Sequence, residues 1–138
     1  MSQRTTLLSG LPLAVLLGAA VLGQYATAAE PSTAVVVKLD KDYDQTLDWA
    51  EVQAGASTRF DKLNKDSDGT LDAKEVQGVI GKSMFKAADP DNDGTLSKAE
   101  YLDLVKKLFQ KADADKDGTL DAKELSSKAG RSLKRLID

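Results

Sequence analysis

The chain has 138 residues, with 19 Lys and Arg, 22 Asp and Glu, a formal charge of −3, and neither His nor Cys. Disulfides, thiol chemistry, imidazole or thiolate metal sites of the zinc, copper or haem kind, and His-based triad hydrolysis are therefore excluded. Oxygen is the ligand chemistry that remains, and the length suits one small domain.

The first segment reads as an address. No charged residue lies between Arg4 and Glu30, residues 7–22 are apolar with small residues, and Ala26-Thr27-Ala28 has the small-x-small form of a signal-peptidase site. A cleaved signal peptide over 1–29 is the expectation. Gly10, Pro12, Gly18 and Gly23 interrupt an apolar run already short for a membrane span. The product would be exported to the periplasm, without a stable membrane anchor, as a metal-binding domain over 30–138.

That domain repeats one twelve-residue loop four times. Loop A is residues 40–51, loop B 64–75, loop C 89–100 and loop D 113–124, each of the form D/N-x-D-x-D-G/Q-T-L-D/S-x-x-E. This is the EF-hand pattern. Positions 1, 3 and 5 direct alternate side chains at one ion, position 6 turns sharply, and position 7 offers a backbone carbonyl. Position 8 pairs with a second loop, and the position-12 Glu closes the cage with two oxygens. Of the 22 acids, 18 lie inside these loops, far more concentrated than on an ordinary solvated face.

Candidate metal ligands follow residue by residue. Loop A supplies Asp40, Asp42, Asp44, Thr46, Asp48 and Glu51, and loop B supplies Asn64, Asp66, Asp68, Thr70, Asp72 and Glu75. Loop C supplies Asp89, Asp91, Asp93, Thr95, Ser97 and Glu100, and loop D supplies Asp113, Asp115, Asp117, Thr119, Asp121 and Glu124. Each Thr enters through its carbonyl. Position 9 has two readings of equal weight, ligand-shell residue or N-cap of the following helix in a capping box with position 12. Loop A, with Gln45 where glycine is favoured, ranks weakest, because a left-handed non-glycine residue costs roughly 1–2 kcal/mol.

Connectors of 12, 13 and 12 residues separate consecutive loops. That is too short for two helices and a linker, so each connector must serve two hands. Residues 98–112 place Tyr101, Leu104, Val105, Leu108, Phe109 and Ala112 at helical spacing, with no Gly or Pro. One helix there, roughly 22 Å long at 1.5 Å per residue, holds loops C and D apart. Connector A–B reads as a helix with Val52, Ala56, Phe60 and Leu63 on one face, and connector B–C is expected to bend near Gly78 and Gly81. The expected fold is all-α: an EF-hand bundle of short shared helices, with loop A paired with D through Leu47 and Leu120, and B with C through Leu71 and Leu96. Its core is expected from Leu39, Val52, Phe60, Leu63, Val79, Ile80, Phe85, Leu104, Val105, Leu108, Phe109, Leu125, Leu133 and Leu136. Loop acids repel one another without metal, so a loose apo state that compacts on binding is expected.

These features together resemble the lanmodulin family of bacterial periplasmic EF-hand proteins. The likeness spans nearly all of residues 30–138. It rests on four loops with short connectors, FDKL before loop B, DGTLDAKE in loop B, DPDNDGTL in loop C, AEY after it, and the run from Glu124-Leu125 through Lys128-Ala129-Gly130 to Leu136-Ile137. The resemblance implies a compact helical bundle with non-adjacent loops paired. It also implies lanthanide(III) ions as cargo, La to Nd in particular, with Ca²⁺ weaker, and partners in lanthanide uptake or lanthanide-dependent alcohol dehydrogenase machinery. Many relatives carry Pro at position 2 of every loop; here only Pro90 does, beside Lys41, Lys65 and Ala114.

The competing reading is a secreted calcium buffer or sensor. Met84 is the sole Met of the exported part, which disfavours a Met-rich target groove. An enzyme is not expected, since the carboxylates are engaged in cages. The basic tail (Lys128, Arg131, Lys134, Arg135) reads more simply as the wet face of a docked helix than as a membrane or nucleic-acid site. Monomer and homodimer both remain open.

Overall fold

A computed structural model describes residues 31–138; the signal-peptide reading lies outside the described residues. Helix α1 (Pro31–Leu39) leads into loop A, which ends in strand β1 (Leu47–Asp48). Helix α2 (Trp49–Leu63) connects to loop B and strand β2 (Thr70–Asp72). Turns over 73–80 lead to α3 (Lys82–Ala88), loop C and β3 (Thr95–Ser97). Then come α4 (Lys98–Ala112), loop D with β4 (Thr119–Leu120), the single turn α5 (Ala122–Leu125) and α6 (Lys128–Ile137).

The architecture is mostly helical rather than all-α, because each loop contributes a short strand. β1 pairs antiparallel with β4, Leu47 opposite Leu120, and β2 pairs with β3, Leu71 opposite Leu96. All four leucines are fully buried. Each sheet therefore joins two loops and places their apolar position-8 side chains in the core.

Both fifteen-residue helices start on a capping box. Asp48 accepts from the Glu51 N–H while Glu51 accepts from the Asp48 N–H, and Ser97 with Glu100 does the same for α4. Each satisfies two backbone donors that a helix start leaves unpaired. Connector B–C departs further from a helix than a bend: Gly78 sits at φ +81°, and only seven residues, 82–88, are helical.

The core lies where α2, α4 and α6 meet. Val52, Ala56 and Phe60 of α2 face Tyr101 and Val105 of α4 and Leu133 and Leu136 of α6, all buried. Phe60 meets Tyr101 edge-on at 5.5 Å between ring centroids, and Trp49 meets Phe109 at 5.7 Å. The Tyr101 hydroxyl is buried but donates to the Leu136 carbonyl at 2.8 Å, which pins α6 to α4. Burial pushes that phenol well above its usual range, so it stays a neutral donor. Phe85, Leu39, Val79 and Leu108, expected in the core, sit partly exposed at its edge. Of α3, Ala88 rather than Phe85 enters the core.

Gly55, in the middle of α2, has a packing cause. A Cβ there would come within 3.0 Å of a Leu39 methyl and 3.1 Å of the Ile137 carbonyl. Among the described residues no helix is long and apolar enough to cross a membrane.

Candidate metal centre

The loops are wound by their own side chains. In each, the position-5 Asp accepts from both the N–H and the hydroxyl of the position-7 Thr at 2.8–2.9 Å: Asp44 from Thr46, Asp68 from Thr70, Asp93 from Thr95 and Asp117 from Thr119. These donors hold Asp68 and Asp117 below the ordinary carboxylate range. Positions 4 and 6 are both left-handed. Tyr43, Ser67, Asn92 and Lys116 have φ of 57–63°, and Gly69, Gly94 and Gly118 have φ of 86–91°. Gln45 adopts the glycine geometry at φ 72°. Its N–H reaches Asp40 Oδ2 at 2.9 Å, as Gly94 reaches Asp89 and Gly118 reaches Asp113. Loop A is thus wound like loops C and D despite its departure.

Three loops bring ligand oxygens of positions 1, 3 and 12 within 4.8 Å of one another. The groups are Asp40, Asp42 and Glu51; Asp89, Asp91 and Glu100; and Asp113, Asp115 and Glu124. Loop B starts with Asn64, whose neutral amide carbonyl stands where the others have a carboxylate. The position-9 residues share one pattern: Asp48, Asp72, Ser97 and Asp121 each accept from the N–H of the position-12 Glu, and that Glu accepts from their N–H in return, which caps a helix at Asp48, Ser97 and Asp121 and closes a turn at Asp72. Asp44, Asp68, Asp93 and Asp117 belong to the same loop walls but are engaged by threonine.

Two atoms test the fit to a cation. Asn64 Oδ1 and Asp113 Oδ1, the position-1 oxygens of loops B and D, are buried with no hydrogen-bond partner. A buried acceptor without a donor is costly, and a hard cation would satisfy both. Crowding is visible too. Desolvation, and then the charges of Asp44 and Glu51, raise Asp42 above the ordinary range, although the Asp44 N–H opposes them. For Asp91 the Asp93 N–H pulls downward, but the hydrogen bond with Asp89, desolvation and the charges of Asp93 and Glu100 prevail and raise it. Asp40 goes the other way: desolvation pushes it up, but donors from Gln45, Tyr43 and Asp44 outweigh that and lower it.

One feature of position 2 escaped the sequence reading. In loops A, B and D the position-2 N–H donates to one oxygen of the closing glutamate: Lys41 to Glu51 at 2.5 Å, Lys65 to Glu75 at 2.7 Å and Ala114 to Glu124 at 2.8 Å. Pro90 has no N–H, so Glu100 carries no such tether. The signal was the proline itself, read as a mark of kinship rather than as a missing donor.

Two EF-hand family models match this chain: an EF hand domain over residues 80–108, which contains loop C, and an EF hand over residues 104–127, which contains loop D. No curated protein matches it. The chain carries EF hands, and metal ions are the ligands that such loops take.

Proposed function

We propose that this protein is an exported, periplasmic carrier of trivalent lanthanide ions that compacts as its loops fill, acting in lanthanide uptake, trafficking or storage. The observation that carries the reading is the density of charge in closed oxygen cages, with five acids in each of loops A and D. At equal distance a 3+ ion gains half again as much attraction per carboxylate as a 2+ ion. The resemblance to the lanmodulin family, carried by the short connectors and the loop sequences, supports the same cargo. Candidate ligands are the 24 residues named above, with positions 1, 3 and 12 as the inner set and position 9 acting through its cap on the glutamate. No catalytic step is assigned.

A calcium buffer is the competing reading, favoured by the EF-hand matches themselves. Competitive titration decides. Metal-free protein is titrated with lanthanum against a calcium background, followed by circular dichroism and Trp49 fluorescence. Folding by lanthanum at concentrations far below those calcium needs is the expected result. Full folding at micromolar calcium, with nothing further on adding lanthanum, would reject the lanthanide reading.

A further inference from the structure

The loops concentrate acid, and outside them the charged residues among those described are predominantly basic. One part of that basic surface is concave. A cavity of about 130 Å³ opens between the end of α1, the middle of α2 and the last residues of α6, with Lys38, Lys41, Arg59 and Lys62 on its wall beside Glu51 and Asp138. A water molecule takes about 30 Å³ in the liquid, so the space holds a few solvent molecules or one small polyatomic ion.

The charges in this cavity do not balance internally. Asp138 is taken up by Lys38 in an ion pair. Glu51 accepts from the Lys41 and Asp48 N–H groups. The side chains of Lys41, Arg59 and Lys62 have no ion-pair partner among the described residues. Arg59 carries the sharper signal: its Nε donates to nothing and is enclosed, so an anion in the cavity meets the outer guanidinium first and reaches Nε by a small turn of the side chain. A buried guanidinium N–H without an acceptor is costly. Arginine's fork also matches the two-oxygen edge of a carboxylate, phosphate or sulfate. Small residues make the room, since Ala54 and Gly55 of α2 line the same wall.

We propose that this cavity binds a small oxyanion, gripped by Arg59 and flanked by Lys41 and Lys62. It is a second ligand site, separate from the ion cages but sharing a wall with loop A through Lys41 and Glu51. An anion there would offset the surplus positive charge of the cavity. Carboxylate and tetrahedral oxyanions offer the same two-oxygen edge, and the experiment separates them.

The test uses ¹⁵N-labelled protein saturated with calcium, so that its outcome does not depend on which cation the loops prefer. Sodium sulfate and sodium acetate are titrated in parallel at constant ionic strength, following the Arg59 Nε–H and the amides of residues 54–59. A saturable shift with Kd of about 1 mM or tighter is expected for at least one of them. Response to sulfate alone assigns a tetrahedral oxyanion, response to acetate alone a carboxylate, and response to both the shared edge. Arg59→Gln should weaken binding at least about tenfold, the loss of a charge-assisted fork. Lys62→Gln, at an exposed position, should weaken it about threefold and keeps the test valid should the Arg59 variant misfold. Linear drift without saturation up to about 50 mM, where only screening is at work, would overturn the proposal. So would equal shifts at Lys106, Lys107 and Lys111, or a response that Lys62→Gln leaves unchanged.

Discussion

Gln45 holds a backbone conformation that a side chain penalises, at φ 72°, and it does so to keep one hydrogen bond to Asp40. Replacing it with glycine removes the clash and keeps the bond. Gln45→Gly should stabilise the metal-loaded protein by about 1 kcal/mol, or about 4–8 °C in melting temperature for a domain of this size; an unchanged or lower midpoint would show that loop A relaxes without cost. Pro90 poses the opposite case. Pro90→Ala supplies an N–H that can tether Glu100 as Ala114 tethers Glu124. A tether takes one lone pair of an oxygen that two-oxygen coordination also uses, so the two compete. With a net hydrogen bond worth about 0.5–1.5 kcal/mol, metal affinity at loop C should fall about 2–10-fold, measured by calorimetric titration. Protonation acts at the same scale. Metal displaces protons from carboxylates, and Asp42 and Asp91 are raised above the ordinary range while Asp68 and Asp117 are lowered. As pH falls toward the carboxylate range, Asp42 and Asp91 take up protons first. Loop C should therefore release metal at higher pH than loops B and D, which site-resolved NMR at stepwise lower pH would reveal; in loop A the lowered Asp40 opposes the raised Asp42.

Elements couple these residues. The single turn α5 meets α6 at a corner where Gly130 lies against the preceding backbone. A Cβ there would fall 2.2 Å from the Glu124 carbonyl oxygen and 2.5 Å from the Leu125 Cα. Backbone cannot swing aside as a side chain can, so Gly130→Ala should cost about 1–3 kcal/mol or more and should weaken metal binding at loop D, whose closing ligand is Glu124. Loss of stability with loop D affinity intact would mean that the corner opens without disturbing Glu124. Of this level of structure, the helices over 49–63 and 98–112 were legible because their apolar spacing runs unbroken for fifteen residues. Strand partners were legible from connector length, since a helix of that span keeps its flanking loops apart. Gly130 was not, because its role is a contact distance between two backbones, which leaves no periodic trace. Left-handed position 4 was equally hidden, for Tyr43, Ser67, Asn92 and Lys116 share no chemistry. The cavity around Arg59 combines α1, α2 and α6, and such juxtapositions appear only once the helices are packed.

At the scale of the whole molecule, two opposing facts set the behaviour without metal. The core is continuous, from Val35 in α1 to Ile137 in α6, and includes the four leucines that tie the loops in pairs. Those same leucines each follow a position-5 carboxylate by three residues, in loops that hold 18 acids. Closing each sheet therefore brings two anionic loops side by side. Only three ion pairs occur among the described residues, and each has a solvent-exposed partner; surface pairs of that kind contribute about 0–1 kcal/mol apiece. Repulsion is thus left for a bound cation to quench, and metal binding adds directly to folding free energy. Stripping metal with a chelator should open the paired loops first. The α2–α4–α6 packing, anchored by the buried Tyr101 hydroxyl, should then loosen rather than vanish. The expected readouts are a partial loss of helical circular dichroism, a larger hydrodynamic radius, and fast amide exchange in residues 47–48, 70–72, 95–97 and 119–120 before the helices. High salt, which shortens the range of charge repulsion, should recover part of the lost structure without any metal. If salt recovers nothing while stoichiometric metal recovers everything, then coordination geometry rather than net charge holds the sheets together.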